Sequence, residues 1–328
     1  MENEPDVVTR GERPRRWLRG PKLRQPITSW VALACAASAI LIFFGIWWFL
    51  TRGEVAEERI VGPTTLPSLG ETFSQFGTLW FDRALTRNTI VTLRRVTLGF
   101  ALACVVGVPL GILAGCFSPA RAFLAPAVIW GRYIPLAALI GVTFGFFGIE
   151  ERQKVMFIFI ACFAFVIADV SSAIADISSR YIDTAYTLGA TTWQTIVKVL
   201  IPSALPAILD SARLLFGLAF GYIMLAEAVR LGEETGGLGN LIIVSQRRGP
   251  REHIFLIMLI IPVVAFGIDR ILFWMQRSLC PYRFGGNGLL NAAVRQIARG
   301  WDDLKCLVWK PRPPFDVLPT SPPDKPEP

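Results

Sequence analysis

Long apolar runs without charge alternate with polar segments along the 328-residue chain. Residues 25–51 and residues 96–120 contain no Asp, Glu, Lys or Arg. A run of about 20 apolar residues crosses the hydrocarbon layer as a helix, because each helical residue rises about 1.5 Å. The pattern predicts an all-α, polytopic membrane protein with about six transmembrane helices, at 29–50, 94–116, 123–147, 155–175, 206–229 and 254–279.

Positive charge is concentrated at the two ends of the chain. Seven Lys and Arg residues lie in a basic N-terminal arm, residues 1–28, and eight lie from Arg277 onward. Basic residues beside the first helix favour a cytoplasmic N-terminus, and six crossings return the C-terminus to the same side. These flanks account for the net charge of +8, so we expect no nucleic-acid partner.

The segments at the two ends of the core have different characters. Trp30–Leu50 is longer than the apolar part of a typical signal peptide and lacks a small-residue cleavage site after it, which favours a retained helix. Residues 51–87 are predicted to form an outer connection with a short surface helix around 73–80. Residues 285–328 carry eight prolines from Pro311 onward and are predicted to be a disordered cytoplasmic tail.

A polar stretch, YIDTAYTLGATTWQTIVKVLIPSALPAIL, separates the fourth and fifth predicted spans. Gly189 can end a first short helix in a left-handed conformation, and Pro202 and Pro206 are predicted to stop a second helix and start the next span. By the parity of the spans, residues 176–203 face the cytoplasm. The element lies on lipid headgroups or docks a cytoplasmic partner, and periodicity leaves both open. One helix face is marked by Trp193, Ile196, Val197 and Leu200.

Within this stretch, DTAYTLGATTWQTIVKVLIPSALPAIL resembles the cytoplasmic loop of the permease subunits of ATP-binding-cassette importers. This chain has Asp where Glu is usual, Thr where the first Ala is usual, and Ile before the first Pro. Four further segments, within a core of residues 88–284, are similar to the nitrate/sulfonate/taurine branch of the binding-protein-dependent transport inner-membrane component family. They are TLRRVTLGFALACVVGVPLGILAG, FGIEERQKVMFI, GYIMLAEAV and GGLGNLI.

The resemblance implies a permease subunit of the bacterial inner membrane that works as a homodimer, surrounded by lipid. It implies two further partners, an ATP-binding-cassette ATPase that binds the ATP and an extracytoplasmic solute-binding protein. The solute would be small and mostly anionic, such as nitrate, a sulfonate or taurine. The loop would insert into a groove of the ATPase, and the matching positions are Asp183, Thr184, Ala185, Gly189, Ala190, Pro202 and Pro206.

Catalytic and metal-binding motifs are absent from the sequence. An ATPase needs a Gly-rich loop that ends in Gly-Lys-Ser/Thr, and no Gly-Lys pair occurs. His253 is the only histidine, and the six cysteines form no CxxC pair. We therefore expect no catalytic residue, no metal site and no cofactor bound by this chain. The Gly-rich segment GEETGGLGN is expected to be a flexible outer loop.

Two ionisable residues lie deepest in the predicted spans, Arg132 and Glu227. Charged groups in lipid are costly and usually face the bundle interior. Arg132 either lines the pathway and favours an anionic solute, or pairs with Glu227 and locks two helices together. The sequence leaves both open. Small residues at Gly107, Gly111 and Gly115 predict close helix packing.

An ion-gradient-driven secondary transporter is the alternative function. Such a protein would show paired intramembrane carboxylates and inverted halves, and the chain has no evident internal repeat. Its clearest motif lies in the loop between the fourth and fifth spans. This position favours an importer driven by a separate ATPase.

Overall fold

The computed structural model describes residues 28–53, 59–63, 65–229, 236–248, 250–280 and 282, which form α-helices and no β-strand. The predicted all-α class is confirmed. The basic arm up to residue 27 and the Pro-rich tail lie outside the described residues. The helices are α1 (Ser29–Thr51), α2 (Leu69–Ser74), α3 (Phe76–Phe81), α4 (Leu85–Cys116), α5 (Ser118–Tyr133), α6 (Leu136–Phe147), α7 (Glu151–Ala175), α8 (Ser179–Thr187), α9 (Thr192–Thr195), α10 (Ile201–Ala228), α11 (Leu238–Arg248) and α12 (Glu252–Leu279).

The six predicted spans correspond to six stretches of the described chain. Five helical segments are long and apolar enough to cross a membrane, and the bent pair α5–α6 makes a sixth if it is one span. The observed helices are longer than predicted at one end. Helix α4 begins at Leu85 and not at 94, and α10 begins at Ile201 and not at 206, because a helix can continue past its apolar run into polar turns.

The third predicted span, 123–147, is broken. Helices α5 and α6 meet at an angle of 106°, so the predicted span is not one continuous helix. Pro135 has no N–H and disfavours a helical conformation in the residue before it. Ile134 is accordingly extended, with φ −61° and ψ 123°. The break leaves Arg132 in the last turn of α5.

The chain divides into two compact units, Met1–Gly70 and Glu71–Pro328. In the first unit, α1 is apolar on all sides and exposed along most of its length, as expected of a helix surrounded by lipid. Trp47 near its end is buried, and its indole N–H donates to the Pro67 carbonyl at 2.9 Å.

The predicted surface helix around 73–80 is present as two short helices, α2 and α3.

Helix α7 is the centre of the second unit and packs against α4, α5, α6 and α10. Its contact with α4 depends on glycine, because a Cβ atom at any of four α4 glycines would lie 2.6–2.9 Å from an α7 atom. Real Cβ contacts are longer than this, so only glycine allows the two backbones to approach so closely. The predicted close packing is confirmed for Gly107, Gly111 and Gly115, with Gly99 as a fourth position.

The connections between the helices of the second unit lie at two ends. We call the first the Glu227 end, where the first turns of α4 and α7 meet the last turn of α10 and the start of α11. We call the other the Gly189 end, which contains α8, α9 and the start of α10. Each end holds one candidate functional site.

Candidate functional site

The turn between α8 and α9 is fixed by its own backbone. Gly189 has φ +78°, and its N–H donates to the Tyr186 carbonyl at 2.9 Å, while the Ala190 N–H donates to the Ala185 carbonyl at 3.0 Å. This pair of bonds is a Schellman motif, which ends a helix with glycine in the left-handed region. The left-handed turn predicted at Gly189 is confirmed.

A capping box begins the second short helix of this loop. The Thr191 hydroxyl accepts the Gln194 N–H at 3.4 Å, and the Gln194 side-chain oxygen accepts the Thr191 N–H at 2.9 Å. The two bonds satisfy donors that would otherwise lack partners at a helix start. With the Schellman motif before it, the box leaves few free dihedral angles between α8 and α9.

The helix does not stop at the prolines, and the stop predicted at Pro202 and Pro206 is wrong. A π-helical turn, Ile196–Leu200, joins α9 to α10, so that Thr192–Ala228 is one continuous helical segment. Pro202 lies in the first turn of α10, where a missing N–H is tolerated. Pro206 lies inside the helix and leaves the Pro202 carbonyl without a helical donor. The Tyr282 hydroxyl donates to that carbonyl at 2.5 Å.

The loop presents apolar side chains on its outside. Leu188 at the turn is 82% exposed and Trp193 is 71% exposed, whereas Ile196 and Leu200 are buried. The four apolar residues predicted on one helix face are therefore not all buried together: Trp193 and Val197 are exposed, and Ile196 and Leu200 are buried. Of the positions matched to the family motif, Asp183, Thr184, Gly189 and Pro202 are exposed, Ala190 is half-buried, and Ala185 and Pro206 are buried.

A buried ion-pair network occupies the Glu227 end. The Arg95 guanidinium donates to Glu227 at 2.8 Å and to Glu151 through two nitrogens, one of them at 2.8 Å. Arg95 also donates to the Gly236 carbonyl at 2.6 Å. The Thr92 hydroxyl lies 2.9 Å from both Glu227 oxygens. The network joins α4, α7 and α10, and it satisfies charges that would be costly to bury alone.

The Gly-rich segment packs against this network at residues 236–240. The prediction of a flexible loop is therefore wrong for these residues, and residues 230–235 lie outside the described part of the chain. The Gly239 N–H donates to Glu227 at 3.0 Å, and the Gly237 N–H donates to Asn88 at 2.7 Å. Gly237 has φ +123°, and a Cβ atom there would overlap the Glu227 carboxyl group. Glycine is needed at this position for both its backbone angle and its lack of a side chain.

Arg132 and Glu227 do not form the pair that was the alternative to a pathway role. The Glu227 carboxylate is bound by Arg95 in the interior, whereas Arg132 is exposed and its guanidinium lies 5.2 Å from the centre of the Phe165 ring. The two residues therefore belong to different parts of the molecule. The cation–π contact with Phe165 leaves the guanidinium exposed, and Asp169 is a carboxylate with which Arg132 interacts electrostatically.

The pairing of Arg95 with Glu227 was not predicted from the sequence, although a signal was present. On α4, Arg95 is four residues before Gly99 and therefore shares a helix face with the small-residue stripe that packs on α7. Its neighbour Arg94 is on the other side and 64% exposed. The predicted span began at 94, so Arg94 and Arg95 were taken to lie at its end. With α4 beginning at Leu85, both arginines are inside the helix, and Arg95 is on the face that packs on α7.

Among the described residues no group of three metal-ligating side chains comes together. His253, at the start of α12, is buried, and neither ring nitrogen has a hydrogen-bond partner within the described part of the chain.

Comparison with known proteins identifies the family. Residues 107–281 match the family described as binding-protein-dependent transport system inner membrane component. The taurine transport system permease protein TauC of Escherichia coli is 27% identical over 266 residues, covering 80% of this chain and 93% of TauC. The bicarbonate transport system permease protein CmpB of Synechococcus elongatus is 28% identical, covering 73% of this chain and 87% of CmpB.

A solved structure shares the fold. An inward-facing conformation of the MetNI methionine ABC transporter superimposes with a TM-score of 0.55 at 21% identity, covering 62% of this chain and 98% of the compared chain. The resemblance stated from the sequence is confirmed by the family match and the curated relatives, and the ion-gradient alternative is not favoured. The chain therefore belongs to the binding-protein-dependent transport system inner membrane component family, and it is an ABC transporter permease.

Proposed function

We propose that this permease carries a small anion into the cell and receives the movement of a separate ATPase through the Gly189 loop. Two copies would form the pathway, and an extracytoplasmic binding protein would deliver the solute. In this arrangement the Gly189 end and both termini are cytoplasmic, and the Glu227 end faces outward across the inner membrane. ATP is bound and hydrolysed by the partner subunit.

The observation that carries the coupling role is the exposed apolar surface of a rigid loop. Leu188 and Trp193 project from a turn fixed by the Schellman motif and the capping box. Isolated exposed apolar residues are ordinary, but two large apolar side chains that project from the same fixed turn are suited to docking a partner. A rigid loop can also transmit force, whereas a loosely held amphipathic helix on lipid headgroups would absorb it.

The loop has a mechanical connection to the membrane helices. Because α9, the π turn and α10 are continuous, a displacement of Trp193 is passed along one helical segment toward Glu227. Tyr282 joins the end of α12 to the start of α10 through the Pro202 carbonyl. The ATPase would thus move α10 and α12 together.

An anionic solute is supported by two observations. The relatives TauC and CmpB are named for taurine and bicarbonate, and both solutes carry an anionic group. In this chain Arg132 is exposed beside the break between α5 and α6. Non-helical backbone at membrane depth is tolerated where it lines a water-filled cavity or is buried in protein, so an exposed arginine there fits an anion pathway.

Co-purification in detergent with the cognate ATPase tests the coupling role. Gly189→Asp places a charged side chain on a left-handed turn, and Leu188→Gln removes an apolar contact without touching the protein interior. We expect both variants to lose the ATPase that the wild type retains. Gly77→Asp, on an open surface of α3, is the matched control and should retain it.

Uptake into proteoliposomes tests the energy source. The complete complex should accumulate nitrate or taurine when ATP is supplied on the side of the ATPase and no ion gradient is present. Retention of ATPase by both loop variants would contradict the coupling role. Accumulation driven by an ion gradient without ATP would contradict the importer as a whole.

A further inference from the structure

A wide cavity opens at the Glu227 end, with a volume of about 700 Å³. It lies between the turn before α4, the first turns of α4, the start of α7 and α11. This volume corresponds to on the order of twenty waters, so a small solute fits with part of its hydration shell. Four arginines are among the residues that line the cavity, namely Arg83, Arg87, Arg94 and Arg95.

The carboxylates nearby are already engaged. Glu227 and Glu151 are both bound by Arg95, and Arg94 lies 3.6 Å from Glu151. Lys154, one turn along α7 from Glu151, is buried and interacts electrostatically with Glu151 and Glu227. Among the described residues around the cavity and its floor, cationic groups outnumber carboxylates, since Asp82 is the one other acidic residue in the described part of the lining.

Arg83 and Arg87 are the groups left for a ligand. Both are exposed, and neither forms an ion pair within the described part of the chain. Their positions are built by a turn at Ala84, which has φ +48°. The Asn88 side chain donates to the carbonyls of Arg83 and Ala84 at 3.0 and 3.1 Å.

The same Asn88 ties this turn to the rest of the site. Its side-chain oxygen accepts the Gly237 N–H at 2.7 Å, and the next residues bind Glu227 and Thr92. The arginine turn is thus held against the Gly-rich turn and the Arg95 network. These bonds fix the backbone from which Arg83 and Arg87 project, so that binding a ligand has to order only the two side chains.

We propose that this cavity, the arginine basin, is an anion-binding site in which Arg83 and Arg87 bind the solute before it enters the membrane pathway. The ligand class is a small oxyanion, because a guanidinium donates two parallel hydrogen bonds to carboxylate, sulfonate or nitrate oxygens. The assignment of the solute and of the outward side rests on the proposed function. A concave wall of arginines fits a small anion better than an acidic protein surface, which would meet charges on a convex rim.

Calorimetric titration of the permease–ATPase complex in nanodiscs, without binding protein and at low salt, tests the proposal. The probes are nitrate and ethanesulfonate, and dimethyl sulfone is the neutral counterpart. We expect both anions to bind and the sulfone not to bind. The double variant Arg83→Gln/Arg87→Gln should weaken anion binding about tenfold or more, because it removes two charged contacts to the anion. Arg152→Gln, an exposed arginine at the same end but outside the basin, should leave binding unchanged.

Three outcomes would overturn the basin. One is equal binding by the wild type and the double variant, and another is no anion binding by a wild-type complex that still performs ATP-driven uptake. The third is a double variant that binds anions normally but no longer captures the solute-binding protein, which would make the surface a protein docking site. Failure of the proposed function has a different signature, namely a wild-type complex that neither retains its ATPase nor takes up either anion with ATP.

Discussion

Arg95 and Glu227 lie 132 positions apart in the chain and meet through an ion pair of 2.8 Å. Their side chains are 1% and 0% exposed. The pair joins α4 to α10, and Glu151 extends it to α7. Breaking a buried pair by removing one partner leaves a charge uncompensated, which costs far more than the pair itself contributes.

Arg95→Met is therefore expected to destabilise the permease by about 3–5 kcal/mol. Arg94→Met is the matched control, since it removes the neighbouring arginine, which is 64% exposed and 3.6 Å from Glu151. An exposed pair contributes about 0–1 kcal/mol. Thermal unfolding midpoints in one detergent compare the two variants. Equal midpoints would show that the network does not hold the three helices together.

The sequence allowed the six spans and the Gly189 turn to be predicted, because both depend on local signals. Apolar length identifies a span, and glycine before a capping residue identifies a turn. The ion pair between Arg95 and Glu227 has no local signal, since it depends on which faces of α4 and α10 meet. The break at Pro135 was not predicted, because proline alone does not indicate a break. Proline is tolerated in many membrane helices, and Pro109 lies inside the unbroken α4.

Gly237 provides a test of the Gly-rich turn. A methyl group there would overlap the Glu227 carboxyl group, and the φ of +123° strains any side chain. Gly237→Ala should lower stability by about 1–3 kcal/mol from overpacking alone. Gly217→Ala, on α10 with open space around it, should be neutral or stabilise by up to about 1 kcal/mol through helix propensity. Unfolding midpoints of both variants check the contrast, and a wild-type midpoint for Gly237→Ala would mean that the turn is loosely packed.

The α4–α7 contact predicts a rescue. At Gly107 a Cβ atom would lie 2.9 Å from Cγ1 of Val166 and 3.2 Å from its Cβ, so Gly107→Ala should destabilise. Val166→Ala removes Cγ1, the nearest obstructing atom. The double variant should be more stable than the sum of the single effects, with a coupling of about 0.5–3 kcal/mol. Gly145→Ala combined with Val166→Ala supplies a pair without contact, and additivity in both pairs would refute close packing at this position.

Tyr282 satisfies the carbonyl that Pro206 leaves without a donor. Tyr282→Phe removes only the hydroxyl that lies 2.5 Å from the Pro202 oxygen, so we expect a loss of about 0.5–1.5 kcal/mol. Tyr133→Phe changes an exposed tyrosine at the end of α5 and should have no effect. The same variants can be tested for ATPase activity stimulated by the binding protein. A reduced stimulation in Tyr282→Phe alone would indicate that the α10–α12 connection transmits movement.

Variants of Arg132 distinguish a role of this residue in the anion pathway from a purely structural role. Its contact with Phe165 is exposed, and such a contact contributes about 0.5–1 kcal/mol, so Arg132→Gln should unfold at nearly the wild-type temperature. If the charge acts on a passing anion, the same variant should slow uptake about fivefold or more and reduce the preference for anions, because one unit charge at contact distance is worth about 1 kcal/mol in water. Arg132→Lys should retain the preference, and Arg121→Gln, on the same helix, should retain both rate and preference. Unchanged uptake and unchanged anion preference in Arg132→Gln would remove Arg132 from the pathway and leave the basin at the start of α4 as the place where the anion is selected.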